Sequence, residues 1–428
     1  MNGKKQKYFN AATTTLQAIV IFVLGLFILK SMDTFLGMAV YIVSFGFMGV
    51  GLVQTLKNIF PKTEKVLPIE FIYSAGNIVI GAFILAKPAI FVDLFPLLFT
   101  IYVGINSIVK FITYWIYKNN DIKGRMHILL RSLISFIFFL ILIFHPLVRD
   151  TITYIIVGIY FIMLSITYLF DGIDSMIPKS KKDKLKRRFH LTLPVIIAAF
   201  LSKKALDEIN EIFATEEEEI PEEVVRIVKE KVEPDIEVFV HMGEKGFATF
   251  GHVDVYFEGR IISYGSYDED HVKLGSAIGD GVLFETGKDK YTAFCNTQAD
   301  KTLVGFGIVL SDAQKQAIQD KLEELKEPTY PWEPKAQREK NGQYEDYASR
   351  LYTQTGAKFW KFKSGKFKTY FVLNTNCVLL ADQLMGASGI DIIKISGIVT
   401  PGTYYDYLNR EFERENSRVV TKNIYLER

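Results

Sequence analysis

The sequence predicts two folds in series: an α-helical membrane domain of six spans in three tandem hairpins, then an α+β domain. Three observations carry this. Hydrophobic residues make up 49% of the 428 and charged ones 23%, and the two kinds are segregated. Before Lys179 charges are sparse and Phe, Ile and Leu dominate; after it Lys, Glu and Asp are frequent. The apolar half repeats itself, and the polar half alternates short strand patterns with helix caps. The expected boundaries are 1–178 for the membrane domain, 179–220 for a junction and 221–428 for the α+β domain.

Apolar stretches fall at 11–29, 34–56, 68–86, 94–117, 127–145 and 151–170. Each approaches the ~20 residues that cross a hydrocarbon core. No small-residue cleavage site follows the first, and more spans come after it, so it does not read as a signal peptide. The net charge of +2 averages two unlike halves and identifies no partner. Two cysteines, Cys295 and Cys377, are too few for a disulfide framework.

The spans recur at roughly 57 residues, an internal repeat. Phe83–Pro88 matches Leu140–Pro146 in position and character, and Leu26–Lys30 occupies the same place in the first hairpin. Small residues follow in each second span: Gly46, Gly49 and Gly51; Gly104 and Ser107; Gly158 and Ser165. Small side chains let helices approach closely in lipid, so these faces are expected packing seams. The pattern, over about 11–170, resembles the HdeD-like membrane proteins, a family associated with acid resistance. The first hairpin departs from it, with Ser31 where the others have Pro88 and Pro146.

Basic residues set the orientation. Lys4, Lys5 and Lys7 precede the first span; Lys57, Lys62 and Lys65 fill the second loop; Lys118, Lys123 and Arg125 fill the fourth; residues 179–188 are strongly basic. The other turns balance one base against one acid. The positive-inside rule then places both termini in the cytoplasm of a multi-pass cell-membrane protein. Glu70, Asn77, Asn106, Lys110 and Arg131 fall within the spans but form no string of ionisable groups. Snorkelling and interhelical hydrogen bonds account for them, and a transporter is not supported.

The junction holds the basic run, an apolar 191–201 too short to span, helical spacing over 203–214 and the acidic 216–219. A short helix is expected at 221–232. Strands are expected at 236–241, 249–257, 260–264, 281–286, 291–296, 303–309 and 367–373, with Glu258-Gly259 as a hairpin turn. Ser311-Asp312-Ala313-Gln314 is a capping box opening a helix to about Leu325. The proline-rich 326–342 reads as loop, and Thr400-Pro401 opens the last helix.

Cys377 follows the turn-like Asn374-Thr375-Asn376 and opens an apolar helical run. A thiol at a helix start feels the positive end of the dipole, and an imidazole can take its proton. His252, on an alternating strand, is the candidate base. Cys295 reads as core, on a strand. His241 and His271 read as surface or strand-end residues without partners. No acid–histidine spacing supports a metal site, and no cofactor is implied. Aromatics mixed with lysines over 344–362 lack a recognition motif, so no nucleic-acid partner is expected.

The order of Phe250-Gly251-His252-Val253-Asp254-Val255-Tyr256 before Asn374-Thr375-Asn376-Cys377-Val378 resembles the circularly permuted papain-like hydrolases, relatives of NlpC-type peptidases and lecithin–retinol acyltransferase, over about 236–408. The resemblance implies Cys377 as nucleophile and His252 as general base. It also implies an oxyanion held by the Cys377 N–H and the Asn376 side chain. It calls for a polar residue on the next strand to orient the histidine; the count lands near Ser263, with Tyr264 and Asp268 as rivals. The expected activity is hydrolysis or acyl transfer at an amide, ester or thioester through an acyl-cysteine. The expected partners are the lipid bilayer and a lipid, lipidated or peptide substrate on the cytoplasmic side; the oligomeric state is left open. The alternative is a non-catalytic membrane stress protein whose papain-like domain only binds.

Overall fold

The computed structural model describes residues 3–60, 68–176, 224–229, 232–242, 250–298, 302–339, 342, 344–387, 401–413 and 417–425. The basic run, residues 191–214, the acidic 216–219 and Thr400 lie outside them. The chain forms two compact units. One comprises Ala11–Ile112 and Met126–Gly172; the other comprises Met1–Asn10, Thr113–Arg125 and Ile173–Arg428.

Six helices run through the first half: α1 (Gly3–Lys30), α2 (Met32–Ile59), α3 (Pro68–Ala86), α4 (Pro88–Asn119), α5 (Arg125–Phe144) and α6 (Pro146–Met176). Among the described residues, five are long and apolar enough to cross a membrane. The sixth, α3, offers the shorter apolar stretch Phe71–Ala86. Single non-helical residues, Ser31, Lys87 and His145, separate α1 from α2, α3 from α4 and α5 from α6. Pro88 and Pro146 then open the next helix, where a missing N–H costs nothing.

Small residues form the seams between these helices, and they join successive repeats. A Cβ on Gly51 of α2 would lie 2.7 Å from the Ser74 carbonyl oxygen of α3, and one on Gly81 of α3 would lie 2.5 Å from the Ser44 carbonyl of α2. Gly104 of α4 faces the Phe139 ring of α5, and below it Ser107 and Ser132 exchange hydroxyl-to-carbonyl hydrogen bonds of 3.1 and 3.0 Å. Gly158 of α6 approaches Leu29 and the Gly25 carbonyl of α1. Gly46 and Gly49, expected in the seam, face open space. The intramembrane polar groups are used between helices: Asn77 donates to Gln54 (2.9 Å) and Lys110 to Ser135 (2.8 Å).

The second half is built on β1 (Val224–Val228), β2 (Ile236–Met242), β3 (Phe250–Phe257), β4 (Arg260–Gly265), β5 (Val272–Lys273), β6 (Ile278–Asp280), β7 (Val282–Gly287), α7 (Lys288–Gln298), β8 (Thr302–Ile308), α8 (Asp312–Lys326), β9 (Thr329–Trp332), α9 (Lys335–Arg338), α10 (Tyr347–Thr355), β10 (Lys358–Phe362), β11 (Thr369–Phe371), α11 (Cys377–Ala387), α12 (Pro401–Glu413) and β12 (Val419–Tyr425). Among the described residues nine strands form one sheet in the order β1-β12-β8-β2-β3-β4-β7-β10-β9, and β11-β6-β5 form a small second one. Among the described residues every strand pair is antiparallel.

Alternation along the strands gives the large sheet two apolar faces. Val238, Val240, Val255 and Phe306 pack with Ile318 and Leu322 of α8, Leu380 and Leu384 of α11, and Leu408 of α12. Phe239, Ile261 and Phe284 pack with Tyr291, Phe294 and Cys295 of α7 and Leu351 of α10. Cys295 is therefore core as expected, but on a helix. The segment 291–296 reads as a strand by its apolar content alone, and its helical side chains reach the sheet as one face. Residues 224–228 pair with β12 instead of forming a helix, because alternate Val and Ile suit a sheet flank. The proline-rich 326–342 contains β9 and α9, with Pro331 tolerated on an edge strand. The expected strand 367–373 is a single 3₁₀ turn, Lys366–Lys368, followed by the three-residue β11.

Gly51→Ala is expected to destabilise the helical unit by about 1–3 kcal/mol through overpacking against α3. Gly49→Ala should be neutral or slightly stabilising, since alanine suits a helix better than glycine by up to about 1 kcal/mol. Thermal unfolding of both variants in one detergent checks the contrast, and equal shifts would refute the seam.

Candidate active site

Asn376 and Cys377 open α11 through a side-chain cap. The Asn376 Oδ1 accepts the Leu379 N–H at 3.1 Å, and its Nδ2 donates to the Val372 carbonyl at 2.9 Å. The asparagine thus ties the incoming loop to the helix, and its carboxamide is engaged in that task. First-turn N–H groups have no partner within their own helix. Cys377 is 3% exposed and belongs to the core cluster on the α11 face. Burial above all, with the neighbouring Cys377 charge adding to it, raises the Tyr264 and Tyr370 phenols.

His252 lies on β3 next to a bulge. His241 of β2 pairs with His252, but Met242 pairs with Phe250, so Gly251 is an extra residue. Such bulges re-aim neighbouring side chains. The β3–β4 ladder ends at Val255↔Ile262. His252, Asp254 and Ser263 lie just beyond that end.

Three oxygens surround the His252 Nε2: Ser263 Oγ at 2.9 Å, Tyr267 OH at 2.9 Å and Asp254 Oδ1 at 3.0 Å. Ser263 and Tyr267 are themselves 2.7 Å apart, and the Tyr267 ring stacks on Tyr347 of α10. Cys377 lies close enough to the imidazole for its charge to act on it. Burial opposes a charged His252, but the charges of Cys377 and Asp254 outweigh it, raising its pKa to about 10. Burial likewise opposes the Asp254 carboxylate. His252 and His241 overcome that and hold it well below the usual range. Burial first, then Asp254, keeps Tyr267 and Tyr291 protonated far above a free phenol.

The structure brings Cys377, His252 and Ser263 together. Asn376 adjoins them as the cap. The rivals for the third position are engaged by other partners: Tyr264 donates to the Phe367 carbonyl at 3.0 Å, and Asp268 holds Lys361 and His271. Sequence reasoning missed Asp254, although it stands two residues along the strand from His252 and so on the same face. The resemblance points to the following strand for that residue, not to the histidine's own. Tyr267 had no sequence signal, since its approach depends on a turn after β4.

The expectation that His241 and His271 lack partners is corrected. His241 is buried with Nε2 2.5 Å from Asp254 Oδ2, and His271 Nδ1 is 2.7 Å from Asp268 Oδ2. Asp268, His271 and Asp280 cluster closely enough to suggest a metal. The Lys361 ammonium already bridges the two carboxylates at 2.5 and 2.7 Å, supplying the cation this cluster needs.

Residues 72–144 match the family described as a short repeat of unknown function, DUF308, to which HdeD belongs. With the five apolar helices among the described residues, this match points to a multi-pass membrane protein. No curated protein and no solved structure matches the chain.

The His252 contribution to stability has a definite sign. Its folded pKa lies above the ordinary 6.5, so the stabilisation is complete below 6.5 and is lost as pH rises through about 10. The gap in thermal midpoint between wild type and His252→Gln is therefore expected to shrink between those values. A gap that is constant or widening would contradict the assignment.

Proposed function

We propose that the second half is a cysteine-dependent hydrolase or acyltransferase of permuted papain-like type, carried by six membrane spans with both termini in the cytoplasm. The observation that carries it is Cys377 at a helix start, near enough to act on an imidazole whose Nε2 lies 3.0 Å from Asp254 and 2.9 Å from Ser263. With Nε2 so engaged, Nδ1 is the nitrogen left to face the thiol.

In this reading the thiol proton already rests on His252, and the Cys377 thiolate forms a bond to the carbonyl carbon of an amide, ester or thioester, whose oxygen takes up the electron pair. The negative oxygen meets the Cys377 N–H, at the positive end of α11. Collapse of this intermediate expels the amine, alcohol or thiol, which takes the proton from His252, and leaves an acyl-cysteine. Water, or an acceptor alcohol or amine, then gives its proton to His252 and displaces the sulfur. Asp254 and Ser263 are positioning residues. Asn376 shapes the oxyanion site by capping the helix, and its side-chain Nδ2 is the second donor the reading assigns to the oxyanion. A cytoplasmic site favours a lipid, a lipidated molecule or a peptide over a cell-wall substrate.

The test is thiol labelling with iodoacetamide in detergent across pH, on wild type, Cys377→Ala and His252→Ala. Cys377 is expected to label fast well below the ~8.5 of a free thiol, and His252→Ala to slow it on the order of tenfold or more. Labelling only at alkaline pH, or at Cys295 alone, would sink the enzyme reading and leave a binding-only domain.

A further inference from the structure

We infer that His241 is a second histidine of this site, a positioning residue that acts through Asp254; the inference rests on the reading of Cys377 and His252 as the reactive pair. Asp254 is a carboxylate with no exposed side-chain surface. Its Oδ1 lies 3.0 Å from the His252 Nε2 as an ion pair, while its Oδ2 takes two donors at 2.5 Å each, the His241 Nε2 and the Tyr291 hydroxyl. The two imidazoles are edge to face, with centroids 5.2 Å apart.

The register makes this arrangement. His241 pairs with His252 and Phe239 with Asp254 across β2–β3. His241 therefore follows Phe239 on the face lined by α7, opposite Leu303 of β8. Its neighbours on that face are apolar, and a buried imidazole there costs free energy unless it is hydrogen-bonded. The groups facing it are Asp254 and His252 on β3 and Tyr291 on α7, with Tyr267 and Tyr347 behind Tyr291.

A buried carboxylate held only through Oδ1 could rotate about its terminal bond or take up a proton, and either change would release His252. Two donors fixed on Oδ2 prevent both. Asp254 then remains an anion whose free oxygen points at His252, and the His252 imidazolium keeps its counter-charge. His241 touches neither the thiol nor the substrate; its effect passes through one carboxylate.

The experiment is the pH profile of Cys377 alkylation by iodoacetamide in the full chain, for wild type, His241→Leu, His241→Gln and Tyr291→Phe. Glutamine places an amide N–H close to the imidazole Nε2 and restores the donor; leucine fills the space without one. His241→Leu is expected to be slower near neutrality by roughly 10- to 100-fold, as for loss of a hydrogen bond to a charged group, with its profile moved to higher pH. His241→Gln should stay within a few-fold of wild type, and Tyr291→Phe, which removes one oxygen and leaves the packing, should fall between. Leucine and phenylalanine variants indistinguishable from wild type would overturn the inference. So would a glutamine variant as slow as leucine, the mark of packing alone. A wild-type Cys377 no faster than an ordinary thiol would overturn the reactive pair itself and, with it, any role for His241.

Discussion

The candidate site depends on one buried negative charge. An isolated carboxylate taken out of water costs far more than a fold can tolerate, so it is either protonated or surrounded by donors. Asp254 is surrounded, by two imidazoles and a phenol drawn from β2, β3 and α7. These partners constrain more than the charge. They fix the β2–β3 register, the position of the bulge at Gly251 and the approach of α7 to the sheet. The same constraint sets the direction of His252, because its strand neighbour Asp254 cannot move without exposing an unpaired anion.

A second buried acid shows how the sheet uses the same device without chemistry. Glu237 is 1% exposed. It takes Lys288 at 2.6 Å, Asn423 at 2.7 Å and Tyr425 at 3.0 Å. Lys288 is in turn enclosed by the Phe239, Tyr256 and Tyr425 rings. Every oxygen of Glu237 is matched and no nucleophile adjoins it, so it ties α7 and β12 to β2. Asp254 differs in that one oxygen lies 3.0 Å from His252, the imidazole of the proposed nucleophile pair. The contrast explains why burial and ion pairing alone do not mark a reactive site.

What the sequence made legible follows from how local each signal is. The apolar stretches, the capping box at Ser311 and the cap of α11 are read within a few residues, and each marks an observed helix. Segment 291–296 failed because a short apolar run fits a strand or a helix face equally, and only the sheet it packs on decides. Residues 224–228 failed because their strand partner, 421–425, lies almost two hundred positions away. In the candidate site, Cys377, His252 and Ser263 are read from their order along the chain. Asp254 was visible as His-x-Asp, whereas Tyr267 and His241 reach the histidine only through a turn and a cross-strand register. Such partners carry no sequence period of their own.

The membrane unit obeys a different economy. Lipid gives no hydrophobic drive between helices, so close contact needs small residues or hydrogen bonds. Its seams join α2 to α3, α4 to α5 and α6 to α1, each linking the second helix of one repeat to the first of the next, with the last returning to the beginning. A repeat that packs this way has no complete interface of its own; three copies satisfy one another only because the sixth helix meets the first. That explains why Gly51 and Gly158 are needed while Gly46 and Gly49 face open space. The spacing that revealed the repeat is therefore also the reason the unit closes, since each repeat supplies one half of two seams.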